Sequence, residues 1–313
     1  MGGWSLFREK IPPRQLGAWL FAAVVPVAIQ IMGGDAWFGV TCAAALVFVM
    51  ALILWRQPRE VTKWEGVFLL LYIVVLTGEL LRGAAQCWPT GNGDPAVPLV
   101  LLGLAAVSAK KGLSAAARVG AVLFWAVLGI YTVVFLAGGR DMQPEWLQLR
   151  WSVPDLMGLT VLLIPCGAAQ LLEKGGNPGG HGLLGTVVIS AGAIMTVGVM
   201  SPDLAEAMPD AFYEMCRSLD LWGIARRFEA LICAGMTVGW FALLSLLLSL
   251  CGSYVQKIYP KLGGAPVWLC AAAAALWKLC GLHINAGFLL LTGAVVWVGI
   301  PLLTQGLEKI KKS

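Results

Sequence analysis

The chain has 313 residues, of which 59% are hydrophobic and 12% charged, and its mean hydropathy is +0.81. A soluble domain carries about 25% charged residues, so this composition cannot cover a water-facing surface, and a large cytosolic catalytic domain is excluded. Lys and Arg total 22 against 17 acids, scattered and without a run of alternating basic and aromatic residues, which argues against nucleic-acid binding.

Apolar runs between charged or turn-rich breaks predict ten membrane helices at 14–32, 36–55, 65–84, 95–109, 117–138, 153–172, 182–200, 228–250, 264–281 and 283–303, all but the fourth near the ~20 residues a span needs. The fourth is short and holds Pro98, which suggests a tilted or re-entrant segment. The first follows Arg8, Lys10 and Arg14 without a small-residue cleavage site and reads as a retained helix. The whole of 1–313 therefore reads as a single membrane domain.

Orientation comes from the basic residues. With the N-terminus cytoplasmic, fifteen Lys and Arg fall inside and six outside, which places both termini in the cytoplasm. Trp37, Trp55, Trp64, Trp88, Trp151 and Trp222 lie near span ends, as an aromatic belt requires.

Ten spans divide into repeats at 14–138 and 153–303. Five is odd, so the halves insert in opposite senses, the plan of inverted-repeat transporters, whose first and sixth helices are interrupted at the binding site. The first span carries Pro26 near its middle and Gln30 beyond it, and the sixth carries Pro165, Cys166 and Gly167. Proline removes a backbone donor and clashes with the carbonyl four residues back, so these sites are expected to offer free backbone groups to a ligand. Each proline also reads as a plain kink between packed helices. Glu79, Arg82, Asp155, Glu229 and Lys278 all fall towards outer ends, so a ligand is left to backbone groups and to side chains such as Tyr72, Thr160, Thr237, Ser245 and Trp240. That suits a small neutral or zwitterionic molecule.

The connection from Ser201 to Arg227 is the longest, and its segment from Asp210 to Leu219 reads as an amphipathic helix on the outer face, either a lid or an interfacial helix. Enzyme motifs are missing: there is no Walker A, GxSxG or HExxH sequence, and His181 and His283 fall on opposite sides of the membrane. Eight cysteines lack CxxC or paired metal spacing; six lie in apolar runs and read as small buried hydrophobes, while Cys87 and Cys216 lie outside them. The chain reads as a non-enzyme without cofactor or metal.

Two stretches carry a family resemblance. Gly34-Asp35-Ala36-Trp37-Phe38-Gly39 follows the first span. Pro209-Asp210-Ala211-Phe212-Tyr213, Arg217-Ser218-Leu219 and Arg226-Arg227-Phe228-Glu229-Ala230-Leu231 follow the seventh, with Trp240 further along the eighth. The chain resembles the GerAB-type spore germination permeases, the membrane B subunits of germinant receptors. The resemblance implies the fold of the amino acid, polyamine and organocation transporter superfamily, with a ligand between interrupted helices one and six and helices three and eight. It further implies sensing of a small nutrient, typically an amino acid, with an A-type membrane subunit and a C-type lipoprotein in the spore inner membrane. Phe21-Ala22 stands where the family often has a Gly-Ser or Gly-Thr pair, and Cys166-Gly167-Ala168-Ala169 where a Gly-aromatic-Glu pattern is frequent. Pro26, Gln30, Pro165, Cys166, Gly167 and Trp240 are the expected ligand-binding residues. A secondary amino acid permease, with sodium held by carbonyls and Ser245, and a degenerate scaffold subunit remain alternatives, in the spore inner membrane or a bacterial cell membrane.

Overall fold

The computed structural model describes residues 10–56, 61–86, 96–173, 176–219, 228–259 and 265–304. Cys87, Trp88, Lys174, Trp222, Arg226, Arg227 and both termini, on which parts of the sequence reading rest, lie outside the described residues.

The described chain is almost wholly helical. The first five spans are α1 Pro13–Met32, α2 Trp37–Arg56, α3 Lys63–Gln86, α4 Ala96–Lys110 and α5 Leu113–Gly138. The sixth is divided into α6 Leu156–Leu162, α7 Ile164–Gly167 and a tighter 3-10 turn at Ala168–Leu171. α8 Gly179–Met200 follows, then the short α9 Pro202–Ala207 and α10 Ala211–Ser218, the long α11 Phe228–Ile258, α12 Ala265–Leu279, and α13 Ala286–Gly293, which continues as a π-helical segment at Ala294–Gly299. Seven of these helices are long and apolar enough to cross a membrane. Three shorter apolar ones, Ala96–Lys110, Leu156–Leu171 and Ala265–Leu279, complete the ten expected segments.

α1 lies at the centre and is buried along nearly its whole length. It is apolar on every side, the pattern of a helix enclosed by others. Glycines on its neighbours let it sit close, as small residues do at membrane helix contacts. A Cβ on Gly120 of α5 would stand 2.4 Å from the Trp19 ring, one on Gly239 of α11 2.5 Å from Pro26, and one on Gly158 of α6 2.3 Å from Met32. Trp19 Nε1 donates to the Ala242 carbonyl of α11 at 3.2 Å, which ties the two helices. Outward, Leu46, Phe68, Val122, Trp125 and Leu136 are exposed on the flanking helices, the surface that lipid covers.

α3 starts in a capping box: Thr62 N donates to Glu65 Oε2 at 2.9 Å, and Glu65 N to Thr62 Oγ1 at 3.4 Å. Gly112, at φ 104°, makes the short turn into α5, a backbone conformation that a side chain disfavours. At one end of the bundle, Ile11 N donates to Leu171 O at 2.9 Å and Glu173 N to Ile11 O at 3.1 Å, so the segment before α1 is tied to the end of the sixth span.

At the other end, α10 packs inward through Ala211, Phe212, Met215 and Cys216. Phe212 stacks on Tyr131 of α5 with centroids 5.7 Å apart, and Gly33 at the end of α1 leaves room for it. The expected amphipathic helix is present and caps the bundle. The Gly34 to Gly39 motif proves to be a packing device. A Cβ on Gly34 would stand 2.5 Å from Ala205 O, and one on Gly39 2.3 Å from Ser152 O, while Trp37 Nε1 donates to Gln148 O at 3.2 Å.

The prolines of the first and sixth spans behave differently. α1 runs unbroken through Pro26, which corrects the expected interruption of the first helix. The ring lies against Gly239, and the surrounding helices hold α1 in register, so the missing donor leaves the helix continuous. The sixth span is interrupted, with Leu163 as the joint between α6 and α7.

Candidate functional site

The six expected ligand-binding residues separate into three places. Pro26, Gln30 and Trp240 come together: Trp240 Nε1 donates to Gln30 Oε1 at 2.8 Å, both side chains are buried, and Pro26 sits against Gly239 beside them. Trp240 Nε1 and Gln30 Oε1 satisfy each other, and none of the three residues lines either of the two apolar cavities beside the sixth span. Pro165 borders the smaller of these, about 50 Å³, with Phe21 and Val25 of α1, and its carbonyl accepts from Trp55 Nε1 at 3.1 Å. Cys166 and Gly167 face the other side, where they border the larger cavity of about 470 Å³.

That cavity runs between α3, the sixth span and the last helix, and its volume falls in the ~300–1,000 Å³ range of small-molecule sites. Phe68 and Leu71 of α3 and Phe288 of α13 line it and are each more than half exposed, so it opens sideways through the apolar belt. Tyr72, Thr292 and Trp297 form one wall. Tyr72 and Trp297 meet edge to face with centroids 4.9 Å apart, and Tyr72 Oη donates to Leu289 O at 3.2 Å. Trp297 lies on the π-helical segment, flat over Gly167; a Cβ there would stand 2.4 Å from the indole. Extra-wide turns of this kind often accompany functional sites.

The floor is polar. Gln170 Nε2 donates to Gly167 O at 3.1 Å and to the hydroxyl of Tyr254, while Gln170 Oε1 is buried without a partner. Trp297 Nε1 lies against the Tyr254 hydroxyl in the same buried cluster. Gln170, Tyr254 and Trp297 thus form one buried polar cluster behind the cavity wall, with Gln170 Oε1 and Trp297 Nε1 shielded from the cavity itself. Trp297, Gln170 and Tyr254 escape the sequence reading. Trp297 sits in an uninterrupted apolar run, and the π segment that turns it inward has no local signature. Gln170, three residues past Gly167, was the available signal.

The remaining hydroxyls named from the sequence mostly bond their own helices. Thr160 donates to Leu156 O at 2.8 Å and Thr237 to Cys233 O at 2.6 Å. Ser245 donates to Ala242 O at 3.4 Å, the carbonyl that also receives Trp19. Near the C-terminal end of α3, buried Glu79 accepts from Trp277 Nε1 and Ile284 N, both at 3.0 Å, and lies 3.1 Å from His283 Nδ1, so it fastens α3 to the turn between α12 and α13. A polar cavity of about 230 Å³ borders Asp35, Arg150 and Glu206. Asp35 Oδ2 accepts from Asp155 N at 2.7 Å, and burial, with Asp155 and Glu206 nearby, raises its carboxyl to about 6.

No protein-family model and no curated protein matches the sequence. Among solved structures, the chain is similar to a Na+-coupled sialic acid symporter in a substrate-bound outward-open state. The TM-score is 0.56 at 13% identity, over 94% of this chain and 79% of the symporter. It is also similar to Mhp1, a nucleobase-cation-symport-1 family transporter, in a closed conformation with bromovinylhydantoin bound, at TM-score 0.56 and 15% identity over 94% of this chain and 77% of that one. At these identities the likeness shows the fold alone, an all-α membrane fold that the chain shares with these two symporters.

Proposed function

We propose that this chain is a membrane subunit that reads a small molecule within a transporter fold, as the B subunit of a spore germinant receptor does. One observation carries the choice of receptor over permease. Among the described residues, the first helix is continuous and bonded to α11 through Trp19 and the Gln30–Trp240 pair, while the sixth span is divided at Leu163 beside a cavity. Alternating access needs one bundle to rock against the other around the site; a sensor needs only a local rearrangement at one broken helix. In this reading 14–138 and 153–303 are the inverted repeats, both termini are cytoplasmic, the membrane is the spore inner membrane, and the partners are an A-type subunit and a C-type lipoprotein. An amino acid is the nutrient that the family resemblance offers.

The test is a thermal-shift screen of the purified protein against the common amino acids and other small nutrients, paired with uptake into proteoliposomes. Ligand binding raises the midpoint by mass action. A ligand that stabilises the protein without being accumulated under sodium or proton gradients supports the receptor. Gradient-driven uptake of that ligand establishes the permease instead.

A further inference from the structure

We propose that Cys251 of α11 and Cys270 of α12 form a reversible disulfide when a membrane-permeant hydroperoxide reaches them, and that this bond fastens the first half of α12 to the bundle. The inference is independent of what the large cavity binds.

Three observations converge on it. The two side chains meet where α11 packs on α12, and the Cys251 thiol donates to the Cys270 sulfur. Both are free thiols, and neither borders the three cavities described above. Their exposures differ in a useful way: Cys251 is wholly buried, while Cys270 keeps 6% of its surface beside Trp268 and Leu269, which are 41% and 68% exposed on the side that lipid covers. An apolar oxidant dissolved in the bilayer therefore meets Cys270 first and finds Cys251 directly behind it. Finally, α12 is tied unequally along its length. Its last turn is held to α3 by Trp277 Nε1 donating to Glu79 at 3.0 Å and Lys278 Nζ donating to Leu81 O at 3.1 Å. Among the described residues, the thiol pair is the one side-chain hydrogen bond that reaches the other end, where Val267 and Ala271 otherwise supply apolar packing.

The chemistry balances on the two sulfurs. The Cys270 sulfur attacks the terminal oxygen of R–O–O–H; an S–O bond forms, the O–O bond breaks, and the leaving alkoxide takes the Cys270 proton and departs as an alcohol. A sulfenic acid with a thiol in contact condenses to a disulfide. The Cys251 sulfur attacks Cys270, the S–S bond forms, and the hydroxyl leaves as water with the Cys251 proton. Together the sulfurs lose two electrons and the peroxide gains them. A dithiol reductant returns both thiols by exchange. Cys251 lies three residues before Tyr254, the partner of Gln170 at the end of the sixth span, and α12 is tied to α3 through Trp277. The disulfide thus completes a ring of α11, α12 and α3 beside the sixth span.

The experiment treats the full chain in dimyristoyl phosphatidylcholine nanodiscs with tert-butyl hydroperoxide, alkylates the remaining thiols in denaturant, and reads the peptides by mass spectrometry. The expected result is a peptide pair linked through Cys251 and Cys270 that appears with hydroperoxide, disappears with dithiothreitol, and is lost in Cys251→Ala and in Cys270→Ala. The link and its reversal in the unmodified sequence decide the proposal even where an alanine variant fails to fold. The linked protein should also melt at a higher temperature than the reduced one, because a cross-link restricts the unfolded chain. Cys280, which is exposed, is the internal control for oxidation. Oxidised Cys280 with Cys251 and Cys270 both recovered as alkylated thiols overturns the proposal, as does sulfinic acid at Cys270 without a link. A link that leaves the melting temperature unchanged overturns the fastening of α12.

Discussion

At Gly167 the missing side chain is what allows the indole of Trp297 to lie against the sixth span, since a Cβ would stand 2.4 Å from it. Even Gly167→Ala should therefore destabilise the protein, by about 1–3 kcal/mol, the usual cost of overpacking, while Gly103→Ala, with nothing within 4 Å of the new carbon, should change the thermal midpoint in detergent little. Equal midpoints for the two variants would mean that Trp297 does not hold this position. Residues of this kind set the limit of what the sequence discloses. Gln30 and Trp240 are recognisable as polar or aromatic groups in apolar helices, and they do meet, at 2.8 Å. Trp240 Nε1 is satisfied by Gln30 Oε1, a pairing between residues 210 positions apart that no local pattern records. Trp297 and Gln170 are less visible still, because the buried cluster they form with Tyr254 joins three segments distant in the sequence.

Among the elements, the two proline-bearing spans show why matched sequence features need not give matched structure. Pro26 lies in a helix enclosed on all sides, and the packing of α5, α8 and α11 around it keeps the axis continuous. Pro165 follows a joint at Leu163 whose two short pieces are held by other means. Asp155 caps α6, with Oδ1 accepting from Met157 N at 2.8 Å and Gly158 N at 3.1 Å, and Trp55 of α2 holds the Pro165 carbonyl. A seven-residue helix gains little cooperativity of its own, so its cap should matter. Asp155→Ala is expected to lower stability by about 0.5–2 kcal/mol and to speed amide exchange across Leu156–Leu162 relative to α8. Unchanged exchange there would show that packing alone holds α6. From the sequence, Asp155 looks like an end-of-span charge suited to snorkelling; its capping role depends on where the helix starts, three residues later than the predicted span. The other span positions are legible because length and hydropathy suffice for them, and the interruption of the sixth is legible from Pro165. The continuity of the first is decided by its neighbours.

Across the whole molecule, α1 and the sixth span are fastened to each other at one end by the Ile11 bridge to Leu171 and Glu173 and at the other by Asp35, whose carboxylate in the turn between α1 and α2 accepts from the backbone of Asp155 at the head of α6. The motif that suggests a family thus acts physically as a clasp between α1 and the sixth span, and the clasp is sensitive to pH. Asp35 has its carboxyl raised from the ordinary 3.8 to about 6, chiefly by burial, with Asp155 and Glu206 adding repulsion. A raised acid binds its proton more tightly in the folded state, so between these two values the folded chain carries more proton than the unfolded chain. By linkage, its contribution to stability falls as pH rises through that window and stays at the lower level above it. Asp35→Asn keeps an oxygen for the Asp155 N–H and removes the charge. The variant should therefore melt higher than the parent at pH 7, converge with it near pH 4, and lose the part of the slope between them that belongs to this residue. Thermal unfolding in detergent at half-unit steps from pH 4 to 7 measures it. If the parent and variant run parallel across that range, Asp35 titrates as an ordinary surface carboxylate and the clasp is held by its hydrogen bond alone.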